Sequence, residues 1–157
     1  MKKFLGILSI GYKLYFGLVF FGLLFLLYPI FFIILLNPKW KRAVLPFKLF
    51  WTYALTTLCL LFHKTEKKPD KKIEGPFIII ANHSSYLDIP FMYQTARKYR
   101  FLFLGKSELL KWPGLGLLFR KYNIPVYRKN RVQAVKAIEK AKEELRNGWS
   151  IAIFPEG

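Results

Sequence analysis

Phe77-Ile78-Ile79-Ile80-Ala81-Asn82-His83-Ser84-Ser85-Tyr86-Leu87-Asp88-Ile89-Pro90 is the stretch on which the reading of this chain turns. Five apolar residues, three of them β-branched, give way at once to a polar turn. A continuous apolar run this short is what a strand buried on both faces of a parallel sheet needs. The pattern recurs at Phe101-Leu102-Phe103-Leu104, Ile124-Pro125-Val126-Tyr127 and Ile151-Ala152-Ile153-Phe154. Pro125 lacks a ladder donor, which directs the third strand to an edge or makes the proline a strand start. Between the last two runs, Val132, Val135, Ile138, Ala141 and Leu145 recur at helical spacing with Lys136, Glu139, Lys140 and Glu143 among them. This predicts an amphipathic helix ending at Asn147-Gly148. Weaker helical patterns run from about Ile89 to Lys98 and over Leu115 to Lys121. The alternation predicts an α/β class, a mostly parallel sheet with flanking helices.

Upstream the character changes. No charged residue occurs from Leu14 to Leu36, a run that reaches about 34 Å as a helix and so covers a bilayer core of about 30 Å. A second apolar run, Leu49 to Phe62, is too short to cross and is expected at the membrane interface. The organisation expected is therefore a membrane-embedded helical segment over 1–62, a charged linker over 63–74, and the α/β domain from 75 to 157. Spanning and a hairpin dipping into one leaflet are both compatible with the first segment, and Pro29 allows a bend. Trp40 and Trp51, near Lys and Arg, fit headgroup anchors or core positions equally.

Charge supports the division at His63. All nine acids lie at Glu66 or later, whereas 26 Lys and Arg are spread throughout, for a net +17. With 54% hydrophobic residues, the chain is too apolar for a disordered basic tail. Greasy and basic together indicate an anionic membrane surface rather than nucleic acid, for which no motif is present. The densest cationic cluster follows the second apolar run, which places the later residues on the cytoplasmic face of the membrane. Cys59 stands alone, and His63 and His83 are the only histidines, so neither an intrachain disulfide nor a Cys/His zinc site is expected.

His83 and Asp88 stand five apart after the first strand. A turn through Ser84-Ser85 could bring the carboxylate of Asp88 back onto the imidazole, fixing one ring nitrogen as N–H and leaving the other to take a proton. A structural arrangement fits too: Ser85-x-x-Asp88 matches a capping box, with His83 an ordinary buried polar residue. Arg128 and the segment Phe154-Pro155-Glu156-Gly157 also follow strands, where ligands of open α/β sheets gather. Arg128, beside Lys129 and Arg131, suits a phosphate or a solvated basic turn.

Four blocks in register resemble the lysophospholipid acyltransferase family, the glycerolipid acyltransferases typified by lysophosphatidic acid acyltransferase. They are Asn82-His83-Ser84-Ser85-Tyr86-Leu87-Asp88 (the His-x4-Asp block), Gly105-Lys106-Ser107-Glu108-Leu109, Ile124 to Arg128, and Phe154-Pro155-Glu156-Gly157. The resemblance covers 75–157 and implies a membrane-bound O-acyltransferase of phospholipid biosynthesis. It implies transfer of a fatty acyl group from acyl-CoA or acyl carrier protein to the free hydroxyl of a lysophospholipid, lysophosphatidic acid by default. His83 would be the base and Asp88 its orienting partner. Substrate-binding candidates are Asn82, Ser84, Lys106, Arg128, Glu156 and Gly157. No metal or bound cofactor is implied, since the thioester is already activated.

The family's third block continues with Thr-Arg, which here would lie past Gly157. A fragment is therefore expected, with an incomplete domain, a final strand lacking later neighbours and little or no activity. The competing reading is a non-catalytic, membrane-associated lipid-binding module that needs Arg128 and the basic surface but not His83.

Overall fold

The structure, a computed structural model, describes residues 2–64 and 73–156. Most of the expected linker and Gly157 lie outside the described residues. Helix α1 (Lys2–Leu36) continues unbroken through Pro29. A 3₁₀ turn at Pro38–Ala43, capped by the Asn37 side chain accepting from the Lys39 N–H, leads into α2 (Val44–Leu58). There follow β1 (Ile78–Ile80), α3 (Asp88–Thr95), β2 (Phe101–Lys106), a 3₁₀ turn (Ser107–Lys111) and α4 (Leu115–Tyr122). The chain then forms β3 (Ile124–Val126), α5 (Arg131–Arg146) and β4 (Ser150–Ile153).

All four strands run parallel in the order β1-β4-β2-β3. Handedness explains which helix covers which face. The steps from β1 to β2 and from β2 to β3 move one way across the sheet, and right-handed crossovers put their helices on a common face. Tyr93 of α3 and Phe119 of α4 indeed pack with Phe101, Phe103 and Ala152. The step from β3 back to β4 reverses direction, so α5 takes the opposite face, with Ala137 and Ala141 among Leu102, Ile124 and Ile151. Pro125 sits on edge strand β3, paired only with β2, where its missing N–H leaves no central ladder broken.

Two expectations are corrected. First, β4 does not lack neighbours: it lies between β1 and β2, and among the described strands the open edges belong to β1 and β3. Second, Val132, Val135 and Ile138 are 66%, 57% and 49% exposed, while Ala137 and Ala141 are buried. Steps of three residues drift about 60° around a helix, so the large residues swing aside while alanines at four-residue spacing let α5 lie close on the sheet. The second apolar run supplies the latter part of α2, where Phe50, Tyr53 and Leu58 are exposed on one side. As α2 it packs on α3, with the Gln94 side-chain amide donating to the Thr52 carbonyl at 3.0 Å and the Thr56 hydroxyl at 2.9 Å. Trp51 is accordingly 8% exposed, whereas Trp40 in the 3₁₀ turn is 53% exposed.

α1 buries only one stripe. Leu24, Leu27, Phe31 and Leu35 face inward, and the last three share a hydrophobic cluster with α2, α5 and the sheet. Leu18, Leu26, Ile33 and Leu36 face outward and are exposed. Of its length, Gly6–Leu36 is long and apolar enough to cross a membrane. Close packing also fixes the loop before α4: a Cβ on Gly116 would lie 2.2 Å from the Leu110 carbonyl oxygen, a backbone atom that cannot swing away.

Inside this packing lies one cation. Lys48 of α2 is buried, its Nζ 3.7 Å from the centroid of the Tyr93 ring, 4.8 Å from that of Tyr122 and 5.1 Å from that of Phe101. It donates to the Tyr122 hydroxyl at 3.1 Å, and no acid pairs with it among the described residues. Ring faces contribute roughly 2 kcal/mol to such an ammonium when desolvated, less than its burial costs without a counter-ion. Burial therefore holds the Lys48 ammonium well below the ordinary lysine range.

Lys48→Met, which keeps the stem and removes the charge, is expected to raise stability at pH 7 by about 1–3 kcal/mol in thermal unfolding. Because the folded-state value is depressed, the unfolded chain binds the proton more tightly, and native stability rises with pH up to the free lysine value of about 10.4. The advantage of the methionine should shrink over that window; an advantage constant from pH 7 to 11 would contradict the assignment.

Candidate active site

The sheet delivers its functional groups at the carboxyl ends of its strands. After β1 the chain stays paired for one residue, the Ala81 N–H donating to the Ile153 carbonyl at 3.3 Å, then turns away. Asp88 opens α3, with Pro90 in its first turn, where no N–H partner is needed. Its carboxylate looks back along the chain. Oδ2 lies 3.0 Å from His83 Nδ1 and accepts the Ser84 and Ser85 N–H groups, each at 2.9 Å.

Three groups thus converge on one oxygen, and this decides the tautomer. A carboxylate can only accept, so His83 Nδ1 carries the hydrogen in the neutral ring and Nε2 keeps its lone pair. No hydrogen bond to Nε2 is made among the described residues, and the two side chains are 24% and 27% exposed. Both side chains are thus partly accessible to solvent. The capping box is only half formed: Asp88 takes the Ser85 N–H, but the Asp88 N–H goes to the Ser85 carbonyl at 3.1 Å. The Ser85 hydroxyl accepts from the Leu87 N–H at 3.2 Å instead. One carboxylate oxygen therefore both ties the turn and holds the imidazole.

The ring plane is set from the neighbouring strand. Phe154, just past β4, stacks on His83 with centroids 4.3 Å apart and planes 19° apart. Phe154 in turn stacks on Phe103 of β2 at 5.4 Å, and Phe103 meets Tyr93 edge-on at 5.2 Å. This aromatic column ties the imidazole to the core. The sequence reading quoted Phe154 within its block but gave it no such role; an aromatic at the end of the strand beside His83 was the available signal, and strand order was needed to use it.

The remaining candidates are not gathered around the dyad. Asn82 and Ser84 are exposed beside it, Ser84 contributing its backbone N–H. Lys106 ends β2, and Arg128 follows β3 in an exposed turn. Because β1 and β3 are opposite edges, Arg128 stands three strand spacings from β1, about 14 Å at roughly 4.8 Å each. Glu156 is exposed next to Phe154, and Gly157 lies outside the described residues. No group of three or more His, Cys, Asp or Glu able to hold a metal occurs among the described residues.

Residues 59–157 match the protein family described as Acyltransferase. Among curated proteins, the chain is 33% identical over 82 residues to a lyso-ornithine lipid O-acyltransferase of Pseudomonas aeruginosa, covering 52% of this chain and 31% of that protein. It is 30% identical over 115 residues to a lyso-ornithine lipid O-acyltransferase of Rhodobacter capsulatus, covering 68% and 40%. A 1-acyl-sn-glycerol-3-phosphate acyltransferase of Chlamydomonas reinhardtii is 28% identical over 89 residues, covering 57% and 25%. The chain thus spans 25% to 40% of the length of these relatives. No solved structure matches it.

Asp88→Ala is expected to release all three donors together. Hydrogen exchange at the Ser84 and Ser85 amides should quicken by roughly tenfold or more. Unfolding should become easier by about 1–3 kcal/mol, the usual range for losing charged hydrogen-bond acceptors. Unchanged exchange at both amides would show that the clamp does not hold the turn.

Proposed function

Since the chain belongs to the acyltransferase family, we propose that it carries the reacting dyad of a lysolipid O-acyltransferase, with lysophosphatidic acid as acceptor and acyl-CoA or acyl carrier protein as donor. The observation that carries this reading is the single carboxylate oxygen that fixes His83 Nδ1 as a donor and leaves Nε2 without a hydrogen-bond partner among the described residues, available as a base. In the reaction, Nε2 takes the proton of the acceptor hydroxyl as that oxygen attacks the thioester carbonyl. The tetrahedral adduct collapses with cleavage of the carbon–sulfur bond, and the proton passes from the imidazolium to the departing thiolate. Asp88 stabilises the imidazolium in between.

Exposed cations at the same end of the sheet, Lys106 and Arg128, support an anionic acceptor. Their separation from the dyad suits a headgroup bound toward the β3 edge and a glycerol hydroxyl reaching toward β1. The names of the Pseudomonas and Rhodobacter relatives favour a second acceptor, a lyso-ornithine lipid. In our reading the outward stripe of α1 holds the chain at the bilayer, with the α/β domain on the cytoplasmic face. The inward stripe, from Leu24 to Leu35, is already committed to the domain, which supports a helix lying along the membrane boundary rather than one standing free across it.

The test is acyl transfer from both donors to lysophosphatidic acid and to lyso-ornithine lipid, measured for this chain and for a form extended beyond Gly157. His83→Ala should lower turnover by about 10³-fold or more while vesicle association stays intact. Turnover retained without the imidazole overturns the dyad, and transfer to lyso-ornithine lipid alone reassigns the acceptor. Vesicle binding with no transfer by either form leaves a lipid-binding module.

A further inference from the structure

The proposed reaction uses one end of the sheet, yet a separate concentration of positive charge lies at the other. Trp149, preceding β4, and Phe154, following it, are five residues apart, about 16 Å along an extended strand. Around Trp149 opens a cavity of about 420 Å³. Lys39, Lys41 and Arg42 of the first 3₁₀ turn, Arg120 and Lys121 of α4, and Lys140 of α5 line it. Glu144 is the one acid in its wall, and it is already paired with Lys41.

Part of this charge has an ordinary explanation. The carboxyl ends of α1, α4 and α5 all come to this region, and each carries about half a negative charge. Together with Glu144 they offset about 2.5 of the six cationic charges, leaving roughly 3.5 uncompensated around one concavity. A concavity walled by an excess of one sign of charge focuses its field and favours a guest of the opposite sign. Lys41 is half-buried between Glu144 and the Trp149 ring, so one wall is built into the fold, while Lys39, Arg42, Arg120, Lys121 and Lys140 are exposed and open to a ligand.

The neighbourhood narrows the ligand. Ile33 and Leu36 at the end of α1, and Trp40 in the following turn, are exposed apolar residues beside the cationic wall. A guest with an anionic head and an apolar tail meets both surfaces, and a tryptophan among lysines and arginines is at home at headgroup depth.

We propose that this cavity is an anion site separate from the dyad, holding the phosphate of an anionic phospholipid where α1 meets the bilayer surface. It depends on α1 lying at a membrane but not on acyl transfer, so binding rather than turnover tests it.

The chain is partitioned onto vesicles of phosphatidylcholine alone and of phosphatidylcholine with about 30 mol % phosphatidylglycerol. Phosphatidylglycerol should strengthen partitioning by about tenfold, and Lys39→Gln/Arg42→Gln/Arg120→Gln should remove most of that preference while leaving binding to phosphatidylcholine unchanged. The control Lys98→Gln/Arg100→Gln/Lys136→Gln removes equal charge elsewhere and should keep it. A second pocket variant, Lys121→Gln/Lys140→Gln, guards against misfolding of the first. Equal losses in pocket and control variants would make the attraction diffuse and overturn the site. Erasure of the preference by millimolar inorganic phosphate would assign the cavity to a soluble anion and overturn the lipid.

Discussion

The slot between β1 and β2 is the constraint on which the rest of this structure depends. The sheet order leaves one strand's width between them, and β4 fills it with ladders on both sides. Only in that slot can Phe154 reach the His83 ring from one side and Phe103 from the other. Ala152, fully buried in β4, adds only a methyl group to the face on which Tyr93, Phe101 and Phe103 pack. The dyad is therefore held twice, by Asp88 through local hydrogen bonds and by Phe154 through the long-range order of the strands.

How much of this the sequence disclosed follows from the range of the interactions involved. Strands β1 to β4 were legible because a parallel strand is apolar on both faces, and Ile78-Ile79-Ile80 or Ile151-Ala152-Ile153 state that within three residues. The turn that returns Asp88 to His83 was legible because it closes within six residues. Strand order was not, since it is set by crossovers of 17 to 23 residues, counted between the strand ends, whose hand and landing place leave no local mark. For the same reason β4 was expected at an exposed edge, Phe154 received no role beside the imidazole, and the distance of Arg128 from the dyad could not be foreseen. The packing of α2 on α3 was hidden differently: Thr52, Thr56 and Gln94, which lock the two together, look like surface residues until they are seen together.

The two faces of α1 connect the fold to its setting. One stripe completes the hydrophobic cluster that also contains Leu102, Ile124 and Ile151, so the helix belongs to the α/β core as much as to any membrane. The other stripe has no partner among the described residues. Any displacement of α1 is therefore felt by α2 and α4, which both pack against it.

The strand that completes the site is also the last of the four to be synthesised. β1 pairs with β4 alone, and 71 residues separate His83 from Phe154. At ordinary ribosomal speed that is a wait of roughly 4–14 s during which β1 has no ladder at all. In that interval three consecutive isoleucines with bare backbone groups emerge behind an apolar helix, a combination chaperones are built to shield. Seating β4 between β1 and β2 thus leaves the first strand waiting on one made much later.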